Sequence, residues 1–314
     1  MKFGIQIEPQ FGFNYQDILD IAEAGLASGF ESLWFSDHFM LDADSTDRVL
    51  LDPWLVMAAL VRDNRKIRVG SLVFCNNYRS PALHAKMAAT LDVISNGRLE
   101  FGIGAGWKKL EYRAYGYEFP KFSIRREQLV EAIKIIKGAW THKKFTFDGK
   151  HYSVRNLLSF PKPVQKPYPP IWVGSNRAGS EMIELIAEHA DGVNFAWGFG
   201  LEKTETLFNQ LSGFAEKHGR DHKSIKRSIG LWTRHFKSEE EMNQKIVEVA
   251  EKRGISEDEY KERTSQGLWG TSDMMIETLR GYKALDVSQI ILMLPHGEEI
   301  DHVKRIGKDV IAKL

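Results

Sequence analysis

One cysteine in 314 residues, Cys75, leaves no partner for an intrachain disulfide and fits a chain that folds in a reducing compartment. Long apolar runs are missing as well. Nothing approaches the ~18 consecutive residues of a membrane span, so no membrane partner is expected. Nor is there an excess of charge of one sign. The 43 basic and 42 acidic side chains leave a formal net charge of +1, which offers no electrostatic footprint for nucleic acid. Metal-ligand spacing is absent too: there is no His-Glu-x-x-His and no Cys-x-x-Cys, and the Gly219-Arg220-Asp221 between His218 and His222 reads as a loop, so no metal is expected. Proline is scarce, and five of the 10 prolines fall within Pro161–Pro170, where they exclude helix and central strand. Met1 to Pro9 reads as a strand rather than a signal peptide. At 43% hydrophobic and 27% charged, the chain is expected to be soluble and cytoplasmic.

What the sequence does contain is a regular alternation. Short β-rich runs at Phe3–Ile7, Ser32–Phe35 and Ile67–Phe74, and a strand after Gly97, alternate with helical patterns. The helices run from Tyr15 to Ser28 behind an Asn14 cap, from Asp52-Pro53 to Asp63, and from Pro81 to Ile94. Units of about 30 residues force parallel neighbours joined by right-handed crossovers. An amphipathic helix covers Lys121–Ala139. Beyond Pro170, strands at Ile171–Val173, Asp191–Phe195, Ser228–Phe236 and Gln289–Leu294 are interleaved with helices ending at His189 and at Glu202–His218, Ser238–Thr264, Asp273–Ala284 and Val303–Lys313. Eight such strands predict an α/β fold, a (β/α)8 TIM barrel, as one domain over residues 1–314. Between strands four and five lies an insertion at about 140–170. It holds a hairpin at Phe145–Tyr152, whose Asp148-Gly149 suits a two-residue type I′ turn, and then the proline-rich connector.

In such a barrel the active site forms beyond the C-terminal ends of the strands. The residues there are Glu8, Asp37-His38, Phe74–Asn77, Gly104–Trp107, Gly174–Arg177, Asn194–Trp197, Trp232–His235 and Pro295-His296. They include no carboxylate pair of the glycosidase kind and suit a large planar ligand with a phosphate. The glycines at 102, 104 and 106 weaken a strand, so they need a reason: bare backbone beneath a flat ligand, or relief of crowding in a tight core. Asp37 and His38 leave their strand pointing different ways. An imidazole there can move a proton during hydride transfer; the plainer alternative is a loop cap beside a histidine satisfied by backbone. Ser71–Asn77 turns from apolar to small and amide side chains, which predicts a bulge with Cys75 as a small buried thiol. Arg79 either holds a charged group or ties that loop down. Gly174-Ser175-Asn176-Arg177 precedes a helix and has the makings of a phosphate site, although a well-capped helix needs only Ser175 or Asn176.

Several strings occur in a telling order: Ser36-Asp37-His38-Phe39, Val69–Val73 leading to Tyr78-Arg79-Ser80-Pro81, Ile94–Arg98 with Gly102–Trp107, Glu111 with Ala114-Tyr115-Gly116, and Pro161–Pro167 leading to Pro170–Gly174. In these the chain resembles the luciferase-like monooxygenase superfamily, in its coenzyme F420 (deazaflavin)-dependent branch, over about residues 1 to 195. The resemblance implies a hydride transfer between F420 and a small organic substrate. It also implies roles. His38 is the catalytic residue acting on substrate, and Asp37 binds the tricyclic ring. Leu72-Val73, often joined by a cis peptide, backs that ring with Cys75 close by. Gly104, Ala105, Gly106 and Trp107 line the ring or its side chain, and Gly174, Ser175, Asn176 and Arg177 hold the phosphate.

Two alternatives stay open: a monooxygenase using reduced FMN, served by a separate flavin reductase as partner, and a flavin-binding barrel without catalysis. A metal-dependent hydrolase ranks last. Trp107 stands where some deazaflavin sugar-phosphate dehydrogenases carry a glutamate, so their chemistry is not carried over, and Glu111, the nearest acid, has no assigned role. The segment Lys143–Tyr152 and the loop after Asn194 are expected to cover the substrate, in a pocket lined by Trp197, Trp232 and His235. The resemblance also implies a homodimer, for which Trp54, Leu55 and Met57 of the second helix offer an apolar face.

Overall fold

Helix starts in this chain are written in their capping residues. Asn14 and Asp17 exchange side-chain and backbone hydrogen bonds in a capping box at the head of α1, Tyr15–Ala27. Asp52 accepts the Trp54 and Leu55 N–H groups before α2, Pro53–Asp63, and Ser80 accepts that of Leu83 before α3, Pro81–Ser95. A proline opens both of these, where its missing N–H leaves nothing unsatisfied.

Each helix returns the chain to a parallel strand. The computed structural model describes residues 1–314 and closes eight strands into a barrel: β1 Lys2–Ile7, β2 Ser32–Phe35, β3 Arg68–Ser71, β4 Leu99–Gly104, β5 Ile171–Ser175, β6 Gly192–Phe195, β7 Lys226–His235 and β8 Val287–Met293. They pair in chain order, and β8 returns to β1 with Gly4 opposite Ile291, so no edge is left open. The later crossovers are α5 Phe122–Thr141, α6 Ser180–His189, α7 Gly200–Lys217, the charged α8 Glu239–Arg253 and α9 Glu257–Ser265, α10 Ser272–Ala284 and α11 Glu299–Asp309; a short α4, Lys109–Ala114, follows β4. Inside the barrel Trp34 and Trp172 meet edge to face at 6.1 Å. Their indole N–H groups donate to Ser32 Oγ at 2.9 Å and Glu100 Oε2 at 2.8 Å, so neither is buried unsatisfied. No helix is long and apolar enough to cross a membrane.

The predicted third strand, Ile67–Phe74, is broken. β3 ends at Ser71, the Leu72–Val73 peptide bond is cis, and Phe74–Cys75 then pairs with Ile103 and Gly104 further along β4. This is the bulge predicted from Ser71–Asn77. It also explains the glycines. A Cβ on Gly104 would lie 2.7 Å from Val73 Cγ2, and one on Gly174 would lie 2.8 Å from Val73 Cγ1. At Gly102 it would sit 2.0 Å from the Ser71 carbonyl oxygen. The bare backbone of β4 and β5 therefore receives the bulge, and the bulge in turn faces the barrel mouth.

Three other expectations are corrected, and one strand was not foreseen. The hairpin pairs Asp148 with Ser153, so a four-residue loop, Gly149–Tyr152, replaces the two-residue Asp148-Gly149 turn. The open loop lets Glu131 on α5 accept the backbone N–H groups of Lys150, His151 and Tyr152 at 2.8, 3.0 and 2.9 Å. A short strand at Leu268–Gly270, not anticipated, pairs on β7. The last helix begins at Glu299 rather than Val303. On α2, Trp54 and Met57 face the core and only Leu55, 73% exposed, remains at the surface, so the proposed apolar face is one residue wide.

If Val73 is what the glycines make room for, Gly104→Ala should destabilise by about 1–3 kcal/mol through overpacking. Adding Val73→Ala should recover most of that loss in denaturant unfolding, whereas additive losses would show that the two residues do not compete for the same space.

Candidate functional site

At the C-terminal ends of the strands lies a cavity of about 760 Å³. The structure brings all thirteen of the residues singled out as catalytic or cofactor-binding to its wall: Asp37, His38, Leu72, Val73, Cys75, Gly104–Trp107 and Gly174–Arg177.

Its β5 side is built for an anion. The chain turns after Ser175, and Ser175 Oγ is used within that turn, accepting the Ala178 N–H at 3.0 Å. α6 then starts at Ser180 behind an N-cap, Gly179, that has no side chain to offer, so neither Ser175 nor Asn176 caps it; the Met182 N–H turns to the Gly179 carbonyl oxygen at 2.9 Å, and those of Ser180 and Glu181 stay open. Arg177 is exposed and has no ion-pair partner. Arg125 comes to the same wall from the first turn of α5, its guanidinium 4.1 Å over the Phe119 ring and hydrogen-bonded to the Pro120 carbonyl. No carboxylate pairs with Arg125, its Nε has no partner, and burial together with the nearby Arg177 charge lowers its pKa. A helix start and two guanidiniums without acidic partners are the kind of group that can hold an anion. Sequence reading missed Arg125, because an arginine in an amphipathic helix looks like any solvated one.

The bulge side carries buried hydrogen-bonding groups against bare backbone. Buried Asp37 accepts through Oδ2 the Cys75 N–H at 3.0 Å and Arg79 at 2.8 Å. Arg79 reaches on to Asp52 at 2.9 Å, so of its two expected roles it takes that of tying the loop down. Burial pushes the Asp37 carboxyl up, against the pull of Arg79. Its other oxygen, Oδ1, has no partner, nor has Asn194 Oδ1, whose amide nitrogen is given to Ser228 Oγ at 2.8 Å. Each such orphan acceptor costs roughly 1–3 kcal/mol unless something donates to it. Two of them on the wall, beside the Leu72-Val73 bulge and the 104–106 backbone, fit a planar ligand with N–H donors. Cys75 lies behind, its Sγ 3.1 Å from the Tyr112 hydroxyl, and burial pushes the thiol up to about 12. At that value it is no nucleophile near neutrality.

The part able to move a proton is a pair. His38 Nδ1 lies 2.9 Å from Oε2 of Glu111. Glu111 on α4 is fully buried. Its Oε2 also accepts the Tyr78 hydroxyl at 2.9 Å, while Oε1 accepts the Phe39 and Met40 N–H groups at 2.8 and 3.1 Å and lies 3.4 Å from Lys108 Nζ. Burial works against the charged form, but the bonds from His38 and Met40 and the Lys108 charge hold the carboxyl below the usual range. An ionised Glu111 accepts from Nδ1–H, so the neutral His38 keeps its lone pair on Nε2. The sequence signals for Glu111 were its place in a family-like string with Ala114-Tyr115-Gly116 and its being the acid nearest Trp107.

Two covering elements are not where they were expected. Trp197 and Trp232 line the cavity, their rings 5.9 Å apart, but His235 does not. Three residues along a strand reverse the face, so His235 turns away from the mouth and bonds Ser272 Oγ at 2.8 Å. The 143–152 segment contributes nothing to the wall. Tyr152 reaches only Asn76, at 3.1 Å, and Phe119 and Phe122 occupy that flank instead. No group of three or more His, Cys, Asp or Glu side chains is placed to hold a metal.

Native Cys75 should resist iodoacetamide at pH 8 and be alkylated once the chain is unfolded, as read by mass spectrometry; rapid native labelling would contradict its burial. Because the Glu111 pKa is lowered on folding, its stabilisation should be complete at neutral pH and lost as the pH falls through and below the ordinary carboxylate range. Glu111→Gln should therefore flatten the acid limb of a stability–pH curve.

A family model described as luciferase-like monooxygenase matches residues 1–270. An F420-dependent glucose-6-phosphate dehydrogenase of Amycolatopsis mediterranei (strain U-32) is 24% identical, over 96% of this chain and 95% of its own. An FMNH(2)-dependent dimethylsulfone monooxygenase of Pseudomonas putida is 29% identical over 62% of this chain and 52% of its own. Among solved structures, an F420-dependent secondary alcohol dehydrogenase in complex with an F420-acetone adduct superposes with a TM-score of 0.82 at 19% identity, covering 99% of this chain and 98% of that one.

Proposed function

Because this chain belongs to the luciferase-like monooxygenase family, and is with it a flavin- or deazaflavin-dependent oxidoreductase, we propose that it transfers a hydride between coenzyme F420 and a small organic substrate, with His38 moving the proton. The observation that carries this reading is an imidazole tied through Nδ1 to a buried, ionised carboxylate, beside a cavity with unmet acceptors and an uncapped helix start. When bound, a deazaflavin supplies a two-electron hydride acceptor or donor.

The chain's own residues do the rest. The N–H groups opening α6, with Arg125 and Arg177, hold the phosphate. Asp37 and Asn194 accept donors from the ring, and Leu72-Val73 supports it. His38 Nε2 takes the hydroxyl proton when a substrate alcohol is oxidised, or returns it to the carbonyl oxygen in reduction. Glu111 is a positioning residue: it fixes the tautomer and steadies the imidazolium that forms.

A second reading, an FMN-dependent monooxygenase fed by a separate flavin reductase, is supported by the likeness to the dimethylsulfone enzyme. Its cofactor needs the same cradle. Titration of the purified apoprotein with F420 and with FMN, followed by absorbance, separates the two, and F420 is expected to bind more tightly. Tighter FMN binding with oxygen uptake during turnover would favour the monooxygenase.

His38→Ala should lower kcat by about 10²–10⁴-fold. Glu111→Gln should also lower kcat, more than it changes KM, with cofactor affinity retained, because an amide nitrogen facing Nδ1–H or the loop N–H groups opposes the required tautomer. Unchanged kcat in His38→Ala would remove His38 from the chemistry. Arg125→Ala and Arg177→Ala should each weaken cofactor binding by about tenfold, consistent with a lost charge-assisted hydrogen bond.

A further inference from the structure

Strand order separates two sides of the cavity. β5, which carries the anion cradle, stands opposite β1 in the ring of eight, and Arg125 reaches the same side as β5. The remaining arc runs through the ends of β6, β7, β8, β1 and β2. It presents Trp197, Trp232, Met293, Phe11 and His38, while Trp107 leans edge-on against the imidazole at 5.6 Å.

On this arc every carboxylate and every lysine is already engaged. The Glu8 carboxylate accepts from Gln6 at 2.7 Å and from Gln10. Asp37 is held by Arg79 at 2.8 Å. Lys108 Nζ is bonded to the Met40 and Leu41 carbonyl oxygens and lies 3.4 Å from Glu111. No cation is left for a substrate phosphate or carboxylate, and Glu8 stands ready to repel one. What the arc offers is indole surface: Trp107 is 58% and Trp232 47% exposed, large values for side chains that gain most from being covered.

We propose that the substrate is an uncharged alcohol or carbonyl compound bearing an apolar ring, seated against Trp232, Trp197 and Trp107, and that phosphorylated sugars are not substrates. This rests on the function assigned above and adds the substrate class. It sets the chain apart from the glucose-6-phosphate dehydrogenases among its relatives, since both guanidiniums that line the cavity and lack an acidic partner lie on the cofactor-phosphate side.

The test uses the full-length protein loaded with whichever of F420 and FMN it binds. Acetophenone and glucose 6-phosphate are titrated in turn, with tryptophan fluorescence and calorimetry as readouts, and 1-phenylethanol and glucose 6-phosphate are then compared as reductants of bound F420. Acetophenone is expected to quench tryptophan emission and to bind at least about tenfold tighter than glucose 6-phosphate. Trp232→Ala should weaken acetophenone by about tenfold while the protein still loads cofactor as before. Glucose 6-phosphate binding as tightly as acetophenone, or acetophenone binding unmoved in Trp232→Ala, overturns the substrate assignment and leaves the cofactor reading standing. Failure to load either cofactor overturns that reading, and the substrate class with it.

Discussion

A carboxylate with no water around it needs a donor for each of its lone pairs, and at Glu111 that requirement holds one rim of the barrel together. Its donors come from the loop after β2 and from the turn at Asn76–Tyr78, and the Lys108 charge just ahead of α4 completes its surroundings. None of these elements is regular enough to position itself. The charge gathers them, because releasing any one would leave part of a buried anion unsatisfied. Arg79 does the same for Asp37 and Asp52, linking the β2 exit, the β3 bulge and the start of α2. The imidazole at the centre of the proposed chemistry therefore sits on a scaffold whose rigidity is electrostatic.

The adjoining wall is organised by shape. Val73 fills the space that side chains at Gly104 and Gly174 would take. That packing pushes the Leu72-Val73 backbone toward the mouth and links three neighbouring strands into one surface. The chain also keeps polar groups without protein partners around the mouth: the unmet oxygens of Asp37 and Asn194, the head of α6 without a side-chain cap, and guanidiniums without acids. Such defects lower the stability of the isolated fold and mark where local rules yield to function.

The two walls explain why family membership defines the chemistry only coarsely. The proposed cradle for ring and phosphate consists of backbone, bulge and helix start, parts that any flavin or deazaflavin could engage. In the proposed reading the choice of substrate falls to side chains on the other arc, where charge is spent inside the protein while indole surface is left open. Relatives with similar barrels can thus act on very different molecules.

The alternation of short apolar strands with capped helices was enough to predict eight parallel strands, since both signals are local and repeat at a fixed spacing. The same local logic placed the rim residues, because a barrel puts function at its strand ends. It could not pair residues distant in sequence. Glu111 beneath His38, Arg125 beside Arg177 and Val73 against Gly174 depend on how neighbouring strands and loops dock. It also misjudged direction where periodicity was ambiguous, so that His235, Trp54 and Met57 turned inward or away from the surfaces expected for them. The hairpin loop yielded to Glu131, a carboxylate on another element whose need for donors outweighed the turn preference of Asp148-Gly149. Amino-acid order determined the barrel and the position of its mouth through hydrophobic period and caps; tertiary packing decided which groups meet there, because buried charge and close packing are satisfied only between segments that the fold brings together.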